Sequence, residues 1–267
     1  MRNRAVGLSP SARVLLGLLG LAGFFGIWAA CSLTGLVSAT FLPSPVVVLH
    51  RLFNLLNNPY AGHTLPQHLT ASFFRYGAGL LLAVAVGLPL GLLMGWFRLI
   101  DDIMTPIFDG VRFIAQLAWV PFATLWFGTG LGGPVLIIFT GAFPPVLIGA
   151  YRGARLIEPQ LIEAARMLGT PHHRMITEIL LPDAMPSIVS GLRVAAGLGW
   201  QSLIGAELIV VSSGVGYMMV QAQAAVFTQT VMAGIIAVGL VGTAIDFLLR
   251  LGEGAVRRRY GVLGPST

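Results

Sequence analysis

The chain of 267 residues contains no lysine, and all 16 of its basic residues are arginine. A Walker A loop needs a lysine to reach nucleotide phosphates, so this chain holds no P-loop ATPase site. A single cysteine, Cys31, excludes an intrachain disulfide. Charge is scarce. Only 10% of residues are charged and 56% are hydrophobic, whereas soluble domains carry about 25% charged residues. A soluble core of this size cannot hide so much apolar surface, and lipid is the natural solvent of such a chain. No GxSxG, HExxH or CxxC pattern occurs, and the five histidines are scattered between loops. An integral membrane enzyme would need clustered catalytic polar residues, and none appear.

What is present is a series of apolar stretches long enough to cross about 30 Å of hydrocarbon. The pattern predicts six spans, at 13–34, 69–96, 107–127, 134–152, 185–211 and 229–250. The fold class is therefore an all-α integral membrane protein with six transmembrane helices. Residues 1–34 form a tail and first span, 35–68 a periplasmic segment, and 69–267 the core. Within 35–68, Val46 to Leu56 reads as a short amphipathic helix. Cys31 follows Trp28-Ala29-Ala30 after an arginine-bearing start, a weak likeness to a lipoprotein cleavage site. The apolar run is long enough to span and further spans follow, so Cys31 is read as a small apolar residue near a helix end. Gly87, Gly91 and Gly95 lie four apart and share one helix face, which suits close helix packing. Pro89 among them is expected to kink the helix.

The net charge of +6 is a topology signal here rather than a nucleic-acid signal. With the N-terminus inside, Arg2, Arg4, Arg13, Arg98, Arg152, Arg155, Arg166, Arg174, Arg250 and Arg257 to Arg259 all face the cytoplasm. The outer loops keep little beyond Arg51. Both termini and the polar segment 153–183 are thus expected in the cytoplasm.

That segment holds EPQLIEAARMLGTPHHRMITEILLP from Glu158 to Pro182. Pro159 suits a first helical position. Leu161, Ile162, Ala165 and Leu168 share a face, and Gly169 suits a left-handed helix end. Thr170 reads as an N-cap and Pro171 as the first residue of a second helix. Met175, Ile176, Ile179 and Leu180 give this second helix an apolar face, and Pro182 is expected to stop it. The corner is basic, with Arg166, His172, His173 and Arg174. Adjacent histidines on a helix point apart, so no metal site is expected. Physical reasoning alone leaves two readings open: a loop that docks in a partner's groove, or an amphipathic loop lying on the membrane.

Glu163-Ala164-Ala165, Gly169, Ile179 and Leu181-Pro182 resemble the EAA motif of ABC-importer permeases at each fixed position. Gly87-Leu88-Pro89-Leu90-Gly91, Leu117-Ala118-Trp119-Val120-Pro121, Leu125-Trp126-Phe127-Gly128, Gly191-Leu192-Arg193 and Ala206-Glu207-Leu208 are similar to the nitrate/sulfonate/taurine branch. The likeness runs from about residue 40 to 260 and lies nearest the taurine and aliphatic sulfonate permeases. It departs at Phe113, Ala115 and Gln116, where that branch often has prolines. The resemblance implies a type I importer permease fold in the bacterial inner membrane. It also implies cytoplasmic coupling helices that sit in a cleft of an ATP-binding cassette ATPase dimer. Coupling would fall to Glu163, Ala164, Ala165, Gly169, Thr170, Pro171, His172, His173 and Arg174. The partners would be that ATPase, an external substrate-binding protein and a second copy of the chain. ATP and Mg would be bound by the ATPase, leaving this chain without a cofactor.

Polar groups within spans need a partner or a wet cavity. Arg112 and Gln116, four apart, are expected on one face of the third span with Trp119, and Gln201 and Glu207 lie in the fifth. These five are candidates for the translocation path, with helix tying as the competing role. A carboxylate repels a sulfonate, which favours a structural or gating role for Glu207. Asp246 and Arg250 read as an ion pair within one helix, and Arg75 has no evident local acid. The solute expected is a small anion, sulfonates such as taurine first, with nitrate, bicarbonate and pyrimidine or aromatic compounds open. A stand-alone secondary transporter should show internal repeats and several embedded acids; only Glu207 qualifies and no repeat is seen.

Overall fold

The computed structural model describes residues 10–35, 37–38, 40–128 and 130–259. Arg2 and Arg4 of the charge argument, and the tail beyond 259, lie outside them. The described residues form eleven α-helices: α1 (Pro10–Leu33), α2 (Pro45–Asn57), α3 (Leu65–Trp96), α4 (Arg98–Arg112), α5 (Val120–Phe127), α6 (Gly132–Arg155), α7 (Pro159–Met167), α8 (His172–Arg174), α9 (Leu181–Ile209), α10 (Val215–Ala224) and α11 (Thr228–Arg259). A 3-10 turn (Gln116–Trp119) leads into α5, and a π-helical stretch (Met175–Leu180) leads into α9. Five helical segments are long and apolar enough to cross a membrane, and the bent pair Arg98–Arg112 and Gln116–Phe127 supplies a sixth.

The bundle is organised by close approach along α6. Gly79, Gly87, Gly91 and Gly95 of α3 face Ile138, Val146, Leu147 with Ala150, and Ala154 in that order, so α3 and α6 run parallel. A Cβ on Gly91 would meet the Leu147 carbonyl and the Ala150 methyl. Gly141, Gly149 and Gly153 of α6 meet Ser202, Gly191 and Ala184, so α9 runs antiparallel to α6. At Gly149 and Gly191 the two backbones touch, which only small residues allow. Trp200 donates its indole N–H to Val238 O at 3.2 Å and holds α11 against α9.

Two parallel neighbours require the chain between them to return across the bundle. Segment 97–131 does so by climbing α6. Asp101 sits beside Tyr151, Phe108 beside Phe143, and Gln116 beside Gly141, after which Val120 and Ala123 pack with Ile137, Ala206 and Val210. The expected single helix over 107–127 is therefore corrected: the return is broken at Phe113–Ala115 and bent by 88°. Pro121 opens α5 in its first turn, where its missing N–H costs no bond. The apolar run read as one helix because no glycine or proline marks 113–115.

Pro182 does not stop a helix. The wide turns of 175–180 have already interrupted the i→i−4 ladder, with Leu181 N–H donating to Ile176 O, so proline is accommodated and the helix continues as α9. Pro89 likewise lies inside α3, which continues to Trp96. The amphipathic helix expected at 46–56 is α2, started by the Ser44 side chain accepting from Val47 N–H. α10 was not signalled by the sequence. It follows Gly214, whose φ of 110° turns the chain back towards α11.

Candidate coupling loop and translocation groove

Pro159 is the first residue of α7, as its chemistry requires. Gly169 has φ 71°, Gly169 N–H donates to Arg166 O at 3.0 Å and Thr170 N–H to Ala165 O at 3.1 Å. This is a Schellman ending, in which a left-handed residue satisfies the last carbonyls of a helix. Helix α8 begins at His172, with Pro171 O accepting from Met175 N–H, one residue later than the sequence suggests. The side chain of His172 falls outside the described part of the residue.

Ala165 is buried, and Ile162 and Ile176 pack against Ala154, Ile157 and Leu180. Glu163, Ala164, Arg166, Gly169, His173 and Arg174 are exposed. Leu161 and Leu168, expected on the packed face, are exposed instead. Leu168 is 85% and Met167 87% exposed, at a corner that also carries Arg166 and an Arg174–Glu178 pair at 3.8 Å. Two large apolar side chains thus stand exposed beside charge, outside the spans.

The loop is tied to the climbing segment by a cluster that the sequence did not reveal. Asp101, 7% exposed, accepts from Tyr151 Oη at 3.1 Å and Thr105 Oγ1 at 2.8 Å, and pairs with Arg155 at 3.4 Å. The start of α4 is thereby fixed to the end of α6, where the loop begins.

Arg112 and Gln116 do not share a helix face, because α4 ends between them. Arg112 ends α4 half-way up the bundle, 2.8 Å from Asp109, with its guanidinium 4.6 Å from the Phe113 ring centre. Its charge is thus matched locally. Asp109, three residues back on the same helix, was legible as its partner and was missed. Gln116 is half-buried, its amide oxygen beside Gly141 and Ser202, and Trp119 meets Phe122 edge-on. Gln201 lines a different, 170 Å³ hollow facing α11, with Arg193 and Asp246. Arg112 thus stands before the bend with its own ion pair, Gln116 and Trp119 lie in the 3-10 turn after it, and Gln201 lies in a separate hollow.

Glu207 stands apart again, at the α10 end, 1% exposed. It accepts from Ser72 Oγ at 2.7 Å, Arg75 Nη1 at 3.0 Å and Gly216 N–H at 3.0 Å. Arg75 also donates to Ser213 O at 2.8 Å, which supplies the partners the sequence left unknown. His68 joins in: Nδ1 accepts from Gly214 N–H at 3.1 Å, so Nε2 carries the proton donated to Tyr60 O at 3.0 Å. A carboxylate held this way ties α3, α9 and the 211–216 turn. At the other end Arg193 bridges Asp246 at 2.8 Å and Glu253 at 3.1 Å, and the expected Asp246–Arg250 pair is present at 2.8 Å.

Residues 87–258 match the model of the binding-protein-dependent transport system inner membrane component. The chain is a permease of that ABC importer family. The chain is 35% identical over 250 residues to the taurine transport system permease protein TauC of Escherichia coli, covering 93% of this chain and 90% of that one. It is 37% identical over 237 residues to the putative aliphatic sulfonates transport permease protein SsuC of Bacillus subtilis, covering 89% and 84%. It is 32% identical to the bicarbonate transport system permease protein CmpB of Synechococcus elongatus, covering 87% and 86%. The fold is shared with a chain of the inward-facing MetNI methionine ABC transporter, at TM-score 0.60 and 18% identity, covering 69% of this chain and 92% of that one. This permease is therefore a multi-pass inner-membrane component that works with a substrate-binding protein and an ATPase and carries no ATPase of its own.

Proposed function

We propose that this permease, as a homodimer on an ATPase dimer, imports a small anion, with taurine or an aliphatic sulfonate first. The observation that carries the coupling role is the exposed corner of Met167, Leu168 and Gly169, rigidly ended and anchored through Ala165. Closure of the ATPases on ATP would push this corner. The Asp101 cluster would pass the push to α4. The α7 end and both termini are then cytoplasmic, in keeping with the arginines gathered there. Arg112, Gln116 and Trp119 line the path between protomers. An ion pair that is half-way up the bundle and still open is unfavourable against lipid, which supports a wet position. Glu207 acts as a tie rather than a contact of the solute. The choice of solute rests on relatives whose names carry taurine, sulfonates and bicarbonate. Bicarbonate is the second reading, supported by the 32% relative.

The test is ATP-dependent uptake of radiolabelled taurine, ethanesulfonate and bicarbonate into vesicles holding the whole complex with its binding protein. Saturable uptake of a sulfonate supports the first reading. Bicarbonate uptake alone supports the second, and uptake of only neutral or cationic solutes defeats both. A reporter active only outside the cytoplasm, fused after Arg259, should stay silent; strong activity would invert the topology.

A further inference from the structure

A groove of about 510 Å³ lies between α6 and α9 at the α7 end. Its floor is the contact of Gly149 with Gly191. Pro145, Ile148 and Val194 form apolar walls, and Arg152, Ser187 and Ser190 bring polar heads. On α6 the stripe 141, 145, 149, 152 and on α9 the stripe 202, 194, 191, 187 run along one seam, whose far end at Gly141 carries Ser202 and Gln116.

Arg152 is the arginine that lines this groove. Arg155 pairs with Asp101, Arg174 with Glu178, and Arg193 with Asp246 and Glu253, whereas Arg152 has no ion pair among the described residues. Arg112, mid-way along the bundle, is neutralised by Asp109. A bare guanidinium with two hydroxyls nearby is a set of donors suited to a tetrahedral oxyanion, and the walls suit a short alkyl tail.

We propose that Arg152, Ser187 and Ser190 form a subsite for a small alkyl oxyanion at the α7 end of the groove. The proposal rests on the reading that the transported solute is anionic. The last polar contact before release would then be with this subsite. A lipid phosphate offers the same head-group chemistry, so the test separates the two sources.

The experiment uses the full permease–ATPase complex with Cys31→Ala and Val194→Cys, in nanodiscs of phosphatidylcholine. The rate of maleimide labelling at position 194 is read with ethanesulfonate or with ethylammonium, which shares the ethyl group but inverts the charge. Ethanesulfonate should slow labelling by about tenfold at saturation, and ethylammonium should not. Arg152→Gln should abolish the protection, and Ser187→Ala with Ser190→Ala should weaken it, while ATPase activity reports that each variant is folded. Protection by phosphatidylglycerol nanodiscs that Arg152→Gln removes would uphold the subsite with lipid as its occupant. Equal protection by both ethyl compounds, none by any oxyanion, or protection unchanged in Arg152→Gln overturns it. Uptake of ethanesulfonate by the same complex without protection defeats the subsite alone. Uptake of a cation or neutral solute instead defeats the anionic reading.

Discussion

Glu207 meets Arg75 at 3.0 Å although the two are 132 residues apart, and neither is open to its surroundings: their side chains are 0% and 12% exposed. Removing one partner of a buried pair leaves the other charge uncompensated, which costs about 3–5 kcal/mol. Glu207→Ala should therefore lower the unfolding midpoint of the purified complex sharply. Arg75→Met should do so as well, and the double variant should lose less than the sum. Glu207→Gln keeps an acceptor for Ser72 and Gly216 and should fall between. If the two single losses add without coupling, the pair is not what holds α3 to α9.

Gly91 is where the glycine stripe of α3 comes nearest to the backbone of α6, with the Leu147 carbonyl where a side chain would begin. Gly91→Leu should destabilise by about 1–3 kcal/mol through overpacking and reduce complex yield. Gly77, in the same helix, has open space at its Cβ position, and Gly77→Leu should leave the midpoint nearly unchanged. Equal tolerance at both positions would show that this packing face is not a constraint.

These two cases divide what sequence reveals from what it hides. The stripe of Gly87, Gly91 and Gly95 is periodic and local, so its packing role is legible without coordinates. Pro159 and Gly169 are legible for the same reason, because helix ends are written in nearby backbone chemistry. Arg75 and Glu207 carry no mark of each other, nor do Asp101 and Tyr151, since tertiary contact joins residues far apart in the chain. The break at Phe113–Ala115 falls in an apolar run without a punctuating residue, and hydropathy sums across it. The Arg112–Asp109 pair belongs with the legible features, since a spacing of three on one helix brings opposite charges together.

Gly169 closes α7 at φ 71°, a conformation unfavourable by roughly 1–2 kcal/mol for a residue with a Cβ. Nothing else stands near its Cβ position, so the cost is in the backbone alone. Gly169→Val should keep expression and folding but misplace Met167 and Leu168, lowering uptake and the stimulation of ATPase activity by the binding protein. Gly169→Asn, which tolerates the left-handed region, should lose much less. Normal stimulated turnover in the valine variant would remove the corner from the coupling role.

Gln116 decides whether the groove is wet. Its amide lies beside Gly141 and Ser202, nine residues from the start of α6, so the position is inside the membrane by depth. A side chain facing lipid there is shielded from water-soluble reagents, whereas one facing a solvated path is reached. With Cys31→Ala as background, Gln116→Cys should react with a small charged thiol reagent. Its rate should change when ATP or the loaded binding protein is added, because the path alternates between two sides of the membrane. Asn58→Cys, placed just after α2 and exposed, should react fast in every state and serves as the reference. An inert position 116 in all states, beside a reactive position 58, would make the 3-10 turn a packing element. The Arg112–Asp109 pair would then have to be shielded by protein instead of by water, and accessibility at a cysteine replacing Phe113 would fall silent with it.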